Sequence, residues 1–143
     1  MAIQKITPFL WFDNNAAEAA NFYTTVFKNS RLIASNPWVT AFELEGLQIN
    51  ALNGGPKFKL DEAFSLSISC DTQEEIDYYW NTLTEDGGEE SMCGWLKDKF
   101  GLSWQVVPSI LGKLMSDPEK AQPVMNAFLQ MRKFNIQALL DAK

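Results

Sequence analysis

Histidine is absent from all 143 residues. That excludes every nucleophilic triad built on imidazole and every metal site with a histidine ligand. Cysteine is scarce: only Cys70 and Cys93 are present. Two thiols make no disulfide framework and are too few for a cysteine-only structural zinc site in one chain. Positive charge is in deficit, with 12 Lys and Arg against 18 Asp and Glu and a net charge of −6. Such a chain repels phosphate backbones, so neither nucleic acid nor an anionic membrane is an expected partner. No stretch approaches the roughly 18 apolar residues of a membrane span. The opening "MAIQKITPFLWF" lacks the signal-peptide order of basic start, apolar run and small-residue cleavage site. A cytoplasmic protein with reduced thiols is the expectation. What the chain has instead is aromatic weight: ten Phe, five Trp and three Tyr. That suits a filled core, an aromatic-lined pocket or a subunit interface.

A repeat lies in the apolar spacing. "AANFYTTVF" sets Ala19, Phe22, Tyr23, Val26 and Phe27 on one helical stripe. "IDYYWNTL" sets Ile76, Tyr79, Trp80 and Leu83 on another. Each of these four lies 57 positions beyond Ala19, Phe22, Tyr23 and Val26 in turn. The cap-like pairs Asn15 with Glu18 and Thr72 with Glu75 keep the same offset. Stripe and caps together indicate two copies of one unit.

Each helix follows a strand, "KITPFLWF" (Lys5–Phe12) and "AFSLSISC" (Ala63–Cys70). The second alternates, with Phe64, Leu66 and Ile68 on one face and Ser65, Ser67 and Ser69 on the other. A serine face lines a wet cavity or simply meets solvent. Short strands follow each helix: Arg31–Ser35, Trp38–Leu44 and Leu47–Asn53 in the first unit, then a piece around Glu89–Met92, Gly94–Lys99 and Leu102–Val107 in the second. Gly46 and Gly101 make the last turns, and aligning them pairs Asn50 with Gln105. Both units read β-α-β-β-β. The expected class is α+β, a single domain over residues 1–143 with a first unit at about 1–60, a second at about 61–108 and a helical tail at 109–143. In that tail, Asp117 is the expected cap and Pro118 the first helical residue of a segment presenting Val124, Phe128 and Met131, with Ala127 beside them.

The segments "ITPFLWFDNNAAEAANFY", "ALNGGPKFKL" and "CGWLKDKFGLSWQVVP", with the tail "PEKAQPVMNAFLQMRKFNIQALLDA", resemble the vicinal-oxygen-chelate superfamily. That superfamily includes glyoxalase I, ring-cleaving dioxygenases and bleomycin-resistance proteins. Within it, these segments look closely like the PhnB-like branch, whose members often carry a demethylubiquinone methyltransferase label. The connection from Ser30 to Trp38 is shorter here than the Gly-rich loop of relatives.

The resemblance implies that each unit forms half of a cup, with a divalent ion held by inward side chains on the first and last strand of each unit. Carried onto this chain, those positions fall at Ile6 or Pro8, Asn50, Ser65 and Gln105. These groups bring no negative charge to offset the desolvation of a divalent cation. No metal and no cofactor is therefore expected. Two amides keep two-way hydrogen bonding and suit a neutral or carbonyl-bearing ligand; alternatively they satisfy each other in a polar core. The candidate ligand-binding residues are Asn50, Ser65, Ser67, Trp95, Trp104 and Gln105, with Trp38 a further candidate for pocket or dimer seam. Cys93 reads as packing rather than as a reactive thiol, and "NGGP" (Asn53–Pro56) as a turn. The acidic run "EDGGEE" (Glu85–Glu90) reads as a solvated loop.

The expected function is a metal-free homodimer that binds a small, partly apolar molecule. A metal-dependent lyase or dioxygenase is the alternative. Methyl transfer finds no support, because no strand is followed by the Gly-rich turn that holds S-adenosylmethionine in a doubly wound sheet.

Overall fold

A computed structural model describes residues 4–143; the reading of the N-terminus also involved Met1, Ala2 and Ile3, which lie outside the described residues. The chain divides into two compact units, Met1–Leu60 and Asp61–Lys143.

The first unit runs β1 (Phe9–Phe12), α1 (Ala16–Val26), β2 (Ser30–Ser35), β3 (Val39–Leu44) and β4 (Leu47–Asn53). Its sheet has the order β1-β4-β3-β2, with β1 parallel to β4 and the other pairs antiparallel. One face meets α1: Leu10, Phe12, Phe42, Leu44, Ile49 and Ala51 are buried there with Ala19, Ala20, Tyr23 and Val26. Small residues along α1 let the helix approach the sheet closely, and the Tyr23 ring stacks on Phe42 with centroids 6.0 Å apart.

The second unit repeats the plan with β5 (Ser65–Cys70), α2 (Gln73–Thr84), β6 (Glu89–Glu90), β7 (Trp95–Lys97) and β8 (Ser103–Pro108). Its order, β5-β8-β7-β6, is the same, and β5 pairs parallel with β8. Ile76, Trp80 and Leu83 of α2 are buried together with Leu96, Trp104 and Val106 of the sheet. The helices α3 (Leu111–Ser116), α4 (Ala121–Phe128) and α5 (Ile136–Leu140) complete this unit. The mixed α+β class and the twofold β-α-β-β-β plan are thus present.

Several boundaries differ from the sequence reading, each for a local reason. β1 begins at Phe9 rather than Lys5, since Pro8 has no N–H for a ladder and supplies only its carbonyl, to Asn50 N at 2.9 Å. Asn15 does not cap α1 with its side chain; Asn53 Oδ1, from the end of β4, accepts from Ala16 N at 2.9 Å. Thr72 does cap α2, accepting from Glu75 N at 3.1 Å, while Glu75 Oε1 accepts from Asp71 N at 3.0 Å. The expected helix start at Asp117–Pro118 is a turn instead. Asp117 Oδ1 accepts from Glu119 N at 2.9 Å, and the helix starts only at Ala121. Val124 is its buried residue, and Met131 lies beyond its end.

Gly94 joins the tail to the sheet. Its φ is +80°, and an added Cβ would overlap the Phe134 ring. Main-chain bonds run from Cys93 N to Met131 O at 2.7 Å and from Gly94 N to Arg132 O at 2.8 Å. The tail therefore docks through glycine's missing side chain, with the buried Phe134 filling the gap.

Candidate functional site

The chemistry of the second unit is set by the parity of β8. Strand residues alternate between faces, so Trp104 and Val106 turn to the helix while Ser103, Gln105 and Val107 turn away from it. Asp98, only 3% exposed, fixes that parity. Its Oδ1 accepts from Phe100 N at 2.8 Å and Leu102 N at 3.1 Å, which shapes the turn into β8. Its Oδ2 accepts from Trp104 Nε1 at 2.8 Å, pinning the indole inside.

On the helix-free face two rows of side chains cross the strands. Ser65, Ser103, Lys97 and Glu89 are register partners in one row. Ser67, Gln105 and Trp95 are partners in the next. Gln105 Nε2 lies 3.0 Å from Ser65 Oγ. Because a hydroxyl both gives and takes a hydrogen bond, Gln105 can present either end of its amide to a ligand. Ser103 is 1% exposed, and its Oγ has no partner among the described residues. Lys97 forms an ion pair with Glu62. The hydrogen bond that Lys97 donates to Glu62 holds the ammonium pKa above its ordinary value, and the charges of Glu62, Glu89 and Asp61 add to this, so Lys97 is a cation at neutral pH. Beside these rows opens a cleft of about 560 Å³, whose walls include Trp95, Lys97, Ser103, Glu89, Met92 and Cys93. Its volume falls in the range of small-molecule sites.

Of the residues singled out from sequence, Ser65, Ser67, Gln105 and Trp95 therefore share one face. Trp104 does not join them: it lies on the opposite face, 2% exposed, because its indole N–H is taken by Asp98. Asn50 stands in the first unit, on the helix-free face of β4, with Phe9 and Ala41 as register partners. Its Oδ1 is buried and has no partner among the described residues. The first-strand neighbour of Asn50 is Phe9, not Ile6 or Pro8; Ile6 precedes the strand and is 85% exposed. Trp38 is 68% exposed, just before β3. Cys93 is half-buried in the turn before β7, with φ +58°. In the "EDGGEE" run, Glu90 is more than a solvated charge, since its Oε1 accepts from Trp80 Nε1 at 2.6 Å. Sequence reasoning missed Ser103, Lys97 and Glu62. The signal for Ser103 was available, because it stands two residues before Gln105 and shares its parity. Glu62 lies in the turn before β5, where no period marks it.

The donor set does not fit a divalent cation. Asn50, Ser65, Ser67 and Gln105 are neutral, and no group of three or more carboxylates or thiols among the described residues is placed to hold a metal ion.

Paired four-stranded sheets, each with a parallel first and last strand and one helix, define a protein of the glyoxalase/bleomycin-resistance fold. The fosfomycin resistance protein FosX of Listeria monocytogenes, solved with Mn(II) and sulfate, shares this fold at 16% identity and a TM-score of 0.60, over 81% of this chain and 98% of that one. Protein PA1353 of Pseudomonas aeruginosa is 21% identical with a TM-score of 0.62, over 74% of this chain and 98% of that one. A PhnB protein of Bacillus cereus, named for 3-demethylubiquinone-9 3-methyltransferase, is 32% identical with a TM-score of 0.67, over 73% of this chain and 99% of that one. The profile of the 3-demethylubiquinone-9 3-methyltransferase family matches residues 4–107. The chain belongs to that family, the PhnB-like branch of the vicinal-oxygen-chelate proteins. No curated protein matches it.

Proposed function

We propose that this PhnB-like protein binds a small, partly apolar molecule on the helix-free face of its second unit, without a tightly held metal, as a cytoplasmic homodimer. The observation that carries the reading is the Ser67–Gln105–Trp95 row beside a cleft of about 560 Å³. The row combines a flat aromatic surface with uncharged hydrogen-bonding groups, and Trp95 is the member that also lines the cleft. The neutral donors favour hydrogen bonding to the ligand over Lewis-acid chemistry. A metal-dependent lyase or dioxygenase would need anionic ligands where this chain has amides and hydroxyls. Methyl transfer is not adopted from the family's name. The strand-to-helix turns, at 13–15, 71–72 and 109–110, carry no glycine for a nucleotide-type cofactor.

Support for a second copy comes from apolar side chains left open on the first unit, Phe9, Leu32 and Trp38, and from unpaired sheet edges. No helix among the described residues is long and apolar enough to cross a membrane. The test is calorimetry with Mn²⁺, Zn²⁺ and Ni²⁺, alongside light scattering for mass. The expected result is no sub-micromolar metal site and a dimeric mass. One tight metal per subunit overturns the metal-free reading, and a monomer at micromolar concentration overturns the dimer.

A further inference from the structure

We infer that the cleft beside β6 and β7 selects a small organic cation, an ammonium group carried on an apolar body. This deepens the preceding proposal and rests on it. Three features of the cleft converge on that class.

The first is an orphaned hydroxyl. Ser103 lines the cleft, is 1% exposed, and its Oγ has no partner among the described residues. A buried polar atom without a hydrogen bond is costly, so a donor in the cleft that reaches this hydroxyl is favoured. An ammonium donor offers such a bond to the serine lone pairs.

The second is charge. Three carboxylates line the cleft (Glu62, Glu89 and Glu90) against one ammonium, Lys97, which leaves a net charge of −2 (three negative, one positive). Lys97 is already paired with Glu62. Glu90 accepts a neutral indole N–H from Trp80, which does not cancel its charge. An anionic ligand would have to displace Glu62 from Lys97 and then face Glu89. A neutral ligand would satisfy Ser103 and leave the field uncompensated. A cation answers both.

The third is spacing. Among the described residues no three acidic or thiol groups are placed to hold one metal ion. The negative charge is spread around a cleft of about 560 Å³, the scale of a molecule rather than of an ion. Trp95 supplies an indole wall, where a cation gains from the ring face, and the exposed Met92 gives apolar surface for the rest of the ligand.

The experiment uses the full chain and three matched probes: phenethylamine, 2-phenylethanol and 3-phenylpropionate, a cation, a neutral molecule and an anion on one aromatic body. Binding at neutral pH is read from the indole resonance of Trp95, assigned with Trp95→Phe. The amine is expected to bind about tenfold more tightly than the alcohol at low salt, about 1.4 kcal/mol, with the acid weakest. High salt compresses that ratio. Glu89→Gln, on an exposed strand residue whose loss leaves the core intact, is expected to remove most of the amine's advantage and leave the alcohol unchanged. Ser103→Ala weakens the amine several-fold. An alcohol or acid that binds as tightly as the amine, or a Glu89→Gln effect equal on all three probes, overturns the cation assignment and leaves the small-molecule reading intact. If no probe shifts the Trp95 resonance at millimolar concentration, both fall.

Discussion

Replacing Asp98 tests the reasoning that places Gln105 and Trp104 on opposite faces of β8. Its carboxylate is 3% exposed and accepts three N–H groups: Phe100 N, Leu102 N and Trp104 Nε1. In Asp98→Ala the Phe100 amide is only partly buried and can turn to water. The Leu102 amide and the Trp104 indole are buried and cannot. Each orphaned donor costs about 1–3 kcal/mol, so the expected loss is about 4 kcal/mol. With an m-value of about 2 kcal/mol/M in urea, the midpoint falls by about 2 M. Asp98→Asn separates the contributions: its amide oxygen still accepts from the two main-chain donors, but its NH₂ faces the indole N–H, for a loss of about 2 kcal/mol. In a Trp104→Phe background that donor clash disappears, and Asp98→Asn costs less than about 1 kcal/mol. Urea titration of the native chain, Asp98→Asn, Trp104→Phe and the double variant gives the cycle, with Asp98→Ala measured alongside, all followed by tryptophan fluorescence and circular dichroism. Equal costs for Asp98→Asn in the Trp and Phe backgrounds, or an Asp98→Ala loss below about 1 kcal/mol, would refute the claim that this carboxylate sets the parity of β8.

Gly94→Ala should destabilise by about 3 kcal/mol, from a left-handed φ and an overlap with Phe134; thermal unfolding with a Phe134→Ala comparison checks it, since the smaller ring position relieves the overlap but not the backbone strain. Burial, then the charges of Glu75 and Asp71, push the Cys70 thiol from 9.0 up to about 12. The folded pKa lies above the unfolded one, so the thiol's contribution is complete below pH 9 and is lost as pH rises toward 12. The stability difference between the native chain and Cys70→Ala should therefore shrink above pH 9 in urea titrations, and a thiol reagent at pH 8 should label one cysteine in the folded protein and two in denaturant.

The repeat was legible because it is written in helix periodicity, where burial demands apolar side chains at fixed intervals. Ala19 and Ile76, Tyr23 and Trp80, Val26 and Leu83 keep both their spacing and their burial. The alternation in β5 likewise gave its serine face, and Gly46 and Gly101 marked their turns with φ of +87° and +91°. Other features were not legible because they depend on distant partners. Asn53 caps α1 from 37 residues away, a bond with no local signature. Asp98 falls inside the expected strand Gly94–Lys99 with nothing to mark it, yet β7 stops at Lys97 and the chain folds back to bring Trp104 to it. That bond is why Trp104, an aromatic next to Gln105 in sequence, lies on the other side of the sheet. The pairing of Lys97 with Glu62 likewise follows from strand order, which places β8 between two segments that are not neighbours in the chain.

The parallel pair β5–β8 also has a consequence in time. Ser65 and Gln105 are neighbours across that pair, yet forty residues of chain separate them (65 to 105). At ribosomal rates of roughly 5–20 residues per second, Ser65 waits about 2–8 seconds for its partner to be synthesised. Non-local strand closure of this kind is also slow in itself. A nascent chain can hold α2 and β5 and still lack the contact between Ser65 and Gln105. The Ser67–Gln105–Trp95 row is complete only once the last strand slots in between β5 and β7.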